Sequence, residues 1–257
     1  MPELPEAETI ARSLRPLVEG RVITNVEYPG RRVLRGVMPE LAGQRIVRVG
    51  RHGKRIVLEL SRGAVVVSLG MTGALLAGAE PGPYTRAVFT LDAGVLLFDD
   101  VRQFGNLRWS ERLETESGLG PDPLEMTARE FAERLRARRT RVKPLLLNQE
   151  FVRGVGNIYA DEALHRAGID PRVVAARLSR ARAERLHAGL VEVLEEAIAH
   201  RGSSVSDYVD ARGERGGFQA LHRVYRREGQ PCPRCGAAIR RIVMAQRGTH
   251  FCPQCQK

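Results

Sequence analysis

Four cysteines stand near the end of the chain, as CPRC at 232–235 and CPQC at 252–255. Cys232, Cys235, Cys252 and Cys255 therefore form two C-x2-C knuckles separated by sixteen residues. Two such knuckles facing each other supply a closed tetrahedral set of thiolates, the arrangement of a structural zinc; a catalytic zinc keeps one position open, and this pattern leaves none. No other cysteine remains for redox work, and His250 is not needed as a ligand. The intervening AAIRRIVMAQRGTHF reads as a β-hairpin with Arg247 and Gly248 in its turn, so that the metal would hold Arg247 rigidly outward. By spacing alone, Arg247 is equally a solvated surface charge.

Other residues with chemical potential are less distinctive one by one. In GVGNIYADEAL, a glycine-flanked turn enters a helix, and the backbone N–H groups from Gly154 to Asn157 suit a phosphate; turns of this kind are also common in plain loops. Lys54 sits at a hairpin tip in GRHGKR, and Met71 lies between the glycines of SLGMTG. Arg102 and Phe104 in DVRQFG share a face if the segment is extended. The bland readings are a solvated lysine, a gap-filling methionine, a strand-end arginine and a core phenylalanine. The opening MPELPEAETI holds two prolines and three glutamates in a chain of net charge +11. On composition it is a capped helix with an acidic first turn.

The elements that must carry these residues follow from periodicity. Residues 5–18 repeat apolar side chains at helical spacing, with Pro5 at the first helical position. From Val22 to Trp109, short runs rich in β-branched residues alternate with Gly-rich turns and no intervening helices, which predicts a sandwich or barrel. A polar, turn-rich stretch at 114–126 reads as a linker. Helical patterns follow: Thr127 and Glu130 form a capping box, NIYADEALHRAG ends at Gly168, and a long helix ends at Gly202. The expected division is a catalytic β-sandwich domain at 1–113, the linker, a helical domain with a long loop at 127–217, and the finger at 218–257.

Forty-one Lys and Arg against 30 Asp and Glu, with a pI near 10.3, point to a polyanionic partner such as nucleic acid. The charge is uneven: Arg215 to Lys257 holds nine basic residues and one acid, or +8 of the total +11. No apolar run approaches the ~20 residues that span a bilayer, and the N-terminus lacks signal-peptide character. The expectation is a cytoplasmic, monomeric protein without membrane association.

Taken in order, PELPE, GK in a hairpin, LGMTG, DVRxFG, GVGNIYADEAL and the terminal four-cysteine finger closely resemble the bacterial formamidopyrimidine-DNA glycosylases, whose family also contains endonuclease VIII. The resemblance runs from residue 2 to residue 257. It implies an α+β, two-domain fold: an N-terminal β-sandwich with an N-terminal helix, then a C-terminal helical domain with a helix–two-turns–helix motif and a zinc finger. It also implies that damaged double-stranded DNA lies in a basic cleft, that oxidised purines are excised, and that the strand is then cut at the abasic sugar.

Residue by residue, the resemblance makes Pro2 the nucleophile once Met1 is removed, Glu3 the general acid/base and Glu6 a second, orienting carboxylate. Lys54 matches a lysine near the lesion phosphate, and Arg247 matches the finger arginine that grips phosphates. Asn157 is expected to bind phosphate. Met71, Arg102 and Phe104 match the side chains that fill the gap left by an extruded base. The loop 203–217 matches the one that closes over an oxidised purine; Ser203 and Tyr225 fall at expected base-pocket positions, and Arg138 at a backbone-contacting one. Three positions depart from the common pattern: Ser68 and Tyr84 stand where histidines are frequent, and Gln103 replaces a basic residue. The rival readings are an endonuclease VIII-like enzyme for oxidised pyrimidines, a catalytically silent damaged-DNA-binding protein, and a zinc-finger protein unrelated to repair.

Overall fold

The computed structural model describes residues 2–112 and 118–257. Met1, whose removal the resemblance implies, and residues 113–117 at the start of the expected linker lie outside the described residues. The chain forms two compact units, Met1–Ser117 with Ile198–Gln219, and Gly118–Ala197 with Ala220–Lys257.

The first unit is a β-sandwich. Helix α1 (Leu4–Val18) opens it. Among the described residues, nine strands follow: β1 (Ile23–Glu27), β2 (Leu34–Arg35), β3 (Ile46–His52), β4 (Arg55–Leu60), β5 (Ala64–Ser68), β6 (Gly73–Ala77), β7 (Thr85–Leu91), β8 (Val95–Asp100) and β9 (Asn106–Ser110). They form one sheet of order β1-β7-β8-β6 and another of order β2-β9-β5-β4-β3. In β7 every second side chain is buried, as a strand with one wet face requires. Central β5 is buried over Ala64–Val67. The core joins Phe89, Phe98, Leu58, Val67 and Leu107 to Ile10 and Leu14 of α1.

Edge strand β3 would expose unpaired backbone groups, and α1 covers it with polar side chains. Arg15 Nε donates to the Val49 carbonyl at 3.0 Å, and the Val49 N–H donates to Glu19 Oε1 at 2.7 Å. Arg51 Nε pairs with Glu8 Oε2 at 3.1 Å. Thus α1 is tied to the strand that leads into the Gly53–Lys54 turn.

The segment after the long helix belongs to this first unit, whereas the sequence-derived division groups it with the helical domain. Its anchors are non-local: the Ala211 N–H donates to Ser13 Oγ at 3.2 Å, and the Ala77 N–H donates to the Ala211 carbonyl at 3.0 Å. Tyr208 and Ala211 join the sandwich core.

The second unit holds α2 (Ala128–Arg136), α3 (Val142–Leu147), α4 (Asn157–Ala167), most of α5 (Arg180–Ala199) and the finger hairpin β10 (Arg240–Met244) and β11 (Arg247–Phe251). The Thr127–Glu130 capping box is present, and Gly168 closes α4 at φ 67° in the left-handed conformation. Among the described residues, no helix is long and apolar enough to cross a membrane.

The Glu8 brace makes a pH prediction. Burial pushes the Glu8 carboxyl up, but Arg12 and Arg51 together outweigh it and hold the pKa below the ordinary 4.5. A carboxylate depressed in the folded state contributes stability that is full above its unfolded pKa and is lost as pH falls through the folded one. Urea midpoints measured from pH 6 down to pH 3 are therefore expected to fall less steeply for Glu8→Gln than for the unaltered chain.

Candidate active site and nucleic-acid interface

At the N-terminus, buried Pro2 precedes Glu3, the N-cap of α1. The helix begins one residue earlier than the sequence pattern predicts, at Leu4, which puts Glu6 at the third helical position. There the Glu6 carboxylate reaches back, and its Oε2 accepts the Glu3 N–H at 2.8 Å. The other oxygen, Oε1, accepts the Ser203 N–H at 2.7 Å. Glu3 and Glu6 are 4% and 1% exposed, so these carboxylates sit in a low-dielectric pocket. Gly202 lies against Glu6 with φ 75°, and a Cβ there would come within 2.8 Å of Oε1. The structure thus brings Pro2, Glu3, Glu6 and Ser203 together. Ser203 is 4% exposed, with its backbone N–H committed to Glu6.

Lys54 occupies the two-residue turn joining β3 to β4, where Gly53 takes φ 62° and His52 pairs with Arg55. Met71 lies between β5 and β6; Arg102 and Phe104 lie between β8 and β9. These three side chains meet: the Arg102 guanidinium stands 4.7 Å from the Phe104 ring centroid, and its Nη1 is 3.5 Å from the Met71 sulfur. Met71 and Phe104 are 44% and 56% exposed, unlike the core side chains that the bland readings describe. Tyr84 is also exposed, on the link before β7, and its carbonyl accepts the Asp100 N–H.

In the second unit, Asn157 is the first residue of α4, and its Nδ2 donates to the Gly248 carbonyl at 3.0 Å. Lys143 Nζ donates to the same carbonyl at 3.0 Å and to Thr249 Oγ1 at 2.8 Å. Lys143 also pairs with Asp161 at 2.7 Å, both side chains wholly buried. Asp161 Oδ2 accepts the His250 N–H at 2.9 Å, so His250 is employed away from the metal. The next residue, Glu162, accepts three N–H bonds of 2.8–3.0 Å from Arg223, Val224 and Tyr225. The Tyr225 ring packs edge-on against His222 and His250. Exposed Arg247 is thereby mounted beside a fixed residue. It opens β11 and is not in the turn; Ala245 and Gln246 form the turn, at φ 47° and 60°. Arg138 is exposed on the link between α2 and α3.

The four cysteine sulfurs lie within 4.8 Å of one another, with Cys232–Cys255 at 3.9 Å and Cys235–Cys252 at 3.4 Å. Zinc–sulfur bonds of ~2.3 Å in a tetrahedron need sulfurs about 3.8 Å apart, so the donor set fits that ion. His165, wholly buried, places Nε2 3.4 Å from Cys232 Sγ. Periodicity marks His165 only as a helix position. Lys143, Asp161 and Glu162 were likewise invisible as functional residues, because the finger and entry residues they hold lie 61 to 106 residues away in the chain.

Comparison with known proteins decides the family. The family model described as the formamidopyrimidine-DNA glycosylase N-terminal domain matches residues 1–107, and that of the corresponding H2TH domain matches residues 119–209. A third, the zinc finger found in FPG and IleRS, matches residues 229–257. The chain belongs to the formamidopyrimidine-DNA glycosylase family. It is 52% identical to the formamidopyrimidine-DNA glycosylase of Solibacter usitatus, with 100% of both chains covered. Its fold is similar to that of the MutM (Fpg) protein from Thermus thermophilus, with TM-score 0.91, 44% identity and coverage of 99% and 98%. It is similar also to a Lactococcus lactis Fpg mutant solved in complex with a Fapy-dG-containing DNA, with TM-score 0.92, 34% identity and full coverage of both chains. As a member of the formamidopyrimidine-DNA glycosylase family, the chain is a DNA glycosylase of base excision repair, and its finger holds one structural zinc.

Metal removal has an expected outcome. Cys235→Ser should lose zinc, read by atomic absorption, and lose DNA affinity with it, read by fluorescence anisotropy. Full DNA binding by the metal-free variant would contradict this.

Proposed function

We propose that this glycosylase excises oxidised purines, 8-oxoguanine and formamidopyrimidines, from duplex DNA and then cuts the strand as an abasic-site lyase. The observation that carries the reading is the N-terminal geometry: a proline that becomes a secondary amine once Met1 is gone, immobilised at a helix start and flanked by two buried carboxylates.

The chemistry follows from that amine. The Pro2 nitrogen attacks C1′ of the damaged nucleotide, the C1′–base bond breaks, and Glu3 passes protons between the sugar and the leaving base. The sugar ring then opens as the C1′–O4′ bond breaks and O4′ takes a proton, leaving an iminium ion at C1′ that makes the C2′ proton acidic. Its removal expels the 3′ phosphate, and a second elimination expels the 5′ phosphate. Lysine Schiff bases work by the same logic. An α-amine titrates near ~8, so a usable neutral fraction exists at pH 7. Glu6 holds the amine's segment in place. Lys54, Arg247 and Asn157 bind phosphates around the extruded nucleotide, with Lys54 supplying a proton during β-elimination. Arg138 contacts the backbone farther along.

Base extrusion leaves a hole, which Met71, Arg102 and Phe104 fill, with Arg102 donating to the orphaned cytosine and Phe104 wedging the neighbouring step. Ser203, Tyr225 and loop 203–217 contact the extruded base, and Tyr84 lies along the DNA backbone. The protein acts as a cytoplasmic monomer.

The test is borohydride trapping on duplexes carrying 8-oxoguanine opposite cytosine, beside duplexes with an oxidised pyrimidine. A covalent adduct through Pro2 on the purine duplex is expected, and Pro2→Gly should trap and cleave at least about 100-fold more slowly. Wild-type trapping by Pro2→Gly would sink the mechanism. Cutting of the pyrimidine duplex alone would leave the mechanism and overturn the substrate.

A further inference from the structure

The segments LGMTG and DVRQFG supply the three exposed insertion side chains, and bonds between residues of the two segments hold both loops. The residue that joins them is Asp100, the last of β8, whose side chain is wholly buried. One carboxylate oxygen, Oδ1, accepts the Thr72 hydroxyl. The other, Oδ2, accepts the Gly105 N–H at 2.8 Å. Thr72 Oγ1 in turn accepts the Arg102 N–H at 3.1 Å. Asp100 is therefore bonded to the residue after Met71 and to the residue after Phe104, and through Thr72 to Arg102 itself.

The backbones confirm how tightly the loops are set. Gly70 has φ 60°, and a Cβ on it would lie 2.6 Å from the Gly105 nitrogen and 2.7 Å from the Phe104 carbonyl carbon. A Cβ on Gly105 would lie 2.7 Å from Phe98 Cζ and 2.8 Å from the Ser68 carbonyl. Between Arg102 and Phe104, Gln103 takes φ 55°, a conformation that non-glycine residues adopt only when their surroundings impose it. With no direct bond from Asp100 to the three exposed side chains, its effect passes through backbone and Thr72.

We propose that Asp100, acting through Thr72, is a positioning residue that mounts Met71, Arg102 and Phe104 as one rigid insertion unit before DNA arrives. The inference rests on the reading that these three side chains fill the hole left by the extruded base. A preorganised wedge avoids ordering two loops during base extrusion, so its loss falls mainly on productive binding.

The test is steady-state kinetics on the 8-oxoguanine·cytosine duplex with Asp100→Asn, Thr72→Val, their double variant and Thr72→Ser, each checked for folding by thermal melting. Asp100→Asn removes the carboxylate's charge and, with its oxygen kept on the Gly105 N–H, turns an amide N–H₂ toward Thr72, whose hydroxyl must then change from donor to acceptor in that link. It should raise KM about tenfold with a smaller change in kcat. Thr72→Val should act in the same direction, and the double variant should be no worse than Asp100→Asn, because both cut one network. Thr72→Ser, which keeps the hydroxyl, should stay within about twofold of the unaltered chain. If Asp100→Asn fails to fold, the contrast between Thr72→Val and Thr72→Ser decides the matter. Unchanged KM in folded Asp100→Asn or Thr72→Val, or additive losses in the double variant, would overturn the proposal. Arg102→Ala and Phe104→Ala separate the two claims: if they raise KM while Asp100→Asn and Thr72→Val do not, only the positioning role fails. If they too leave KM unchanged, the insertion reading fails and the proposal with it.

Discussion

The Glu6 carboxylate, buried and shared between two backbone N–H groups, is the constraint on which the rest of the site depends. A carboxylate with 1% exposure is costly unless its lone pairs find donors. Here they come from Glu3, beside the proline proposed as the nucleophile, and from Ser203, almost two hundred residues later. Chain ends ordinarily fray. In this protein the end is caught between a helix cap and a distant turn that only a glycine at 202 allows. Tyr208 closes the arrangement by donating to the Arg201 carbonyl at 3.1 Å. The acidic start of a strongly basic chain thus serves as a fixture for the proposed nucleophile.

The same device recurs. Asp100, Asp161 and Glu162 are each 2% exposed or less and each accepts a backbone N–H, Asp100 within its own loop and Asp161 and Glu162 from distant segments. Asp161, with Lys143, holds the hairpin that carries Arg247; Glu162 holds the stretch entering the finger. Exposed positions go the other way: Arg102, Arg138 and Arg247 all face solvent. Buried acids set the framework, and the guanidiniums proposed to meet DNA stay on the surface. This division explains how 30 acidic residues coexist with a phosphate-binding surface in a chain of net charge +11.

Local chemistry was legible from the residues. The two knuckles predicted a metal site because four thiolates at that spacing have few other uses, and the Thr127 cap and the Gly168 stop obey rules that act within one helical turn. The short strands of the sandwich followed from β-branched runs. Two local expectations shifted. The finger turn falls at Ala245–Gln246, since both residues take left-handed conformations that sequence preference would assign to glycine. The helix starts at Leu4, because Glu3 takes the cap. What periodicity could not show were pairings across the chain. The return of residues 198–219 to the sandwich rests on Ser13, Glu6 and Ala77, and nothing in SSVSDYVDARGERGG announces those partners. Motif resemblance singled out Glu6 and the ADE of GVGNIYADEAL, but the tasks of Asp161 and Glu162 emerge only when their N–H donors are seen.

The central claim is that Glu6 acts by fastening the N-terminal segment to Ser203. Amide hydrogen exchange measured on Glu6→Ala, alongside the rate of borohydride trapping, tests it most directly. The account predicts that the Glu3 and Ser203 amides exchange at least about tenfold faster while the rest of the sandwich keeps its protection, and that trapping slows in parallel. Slowed trapping with unchanged exchange at both amides would contradict it, assigning Glu6 to the chemistry itself and not to holding the amine in place.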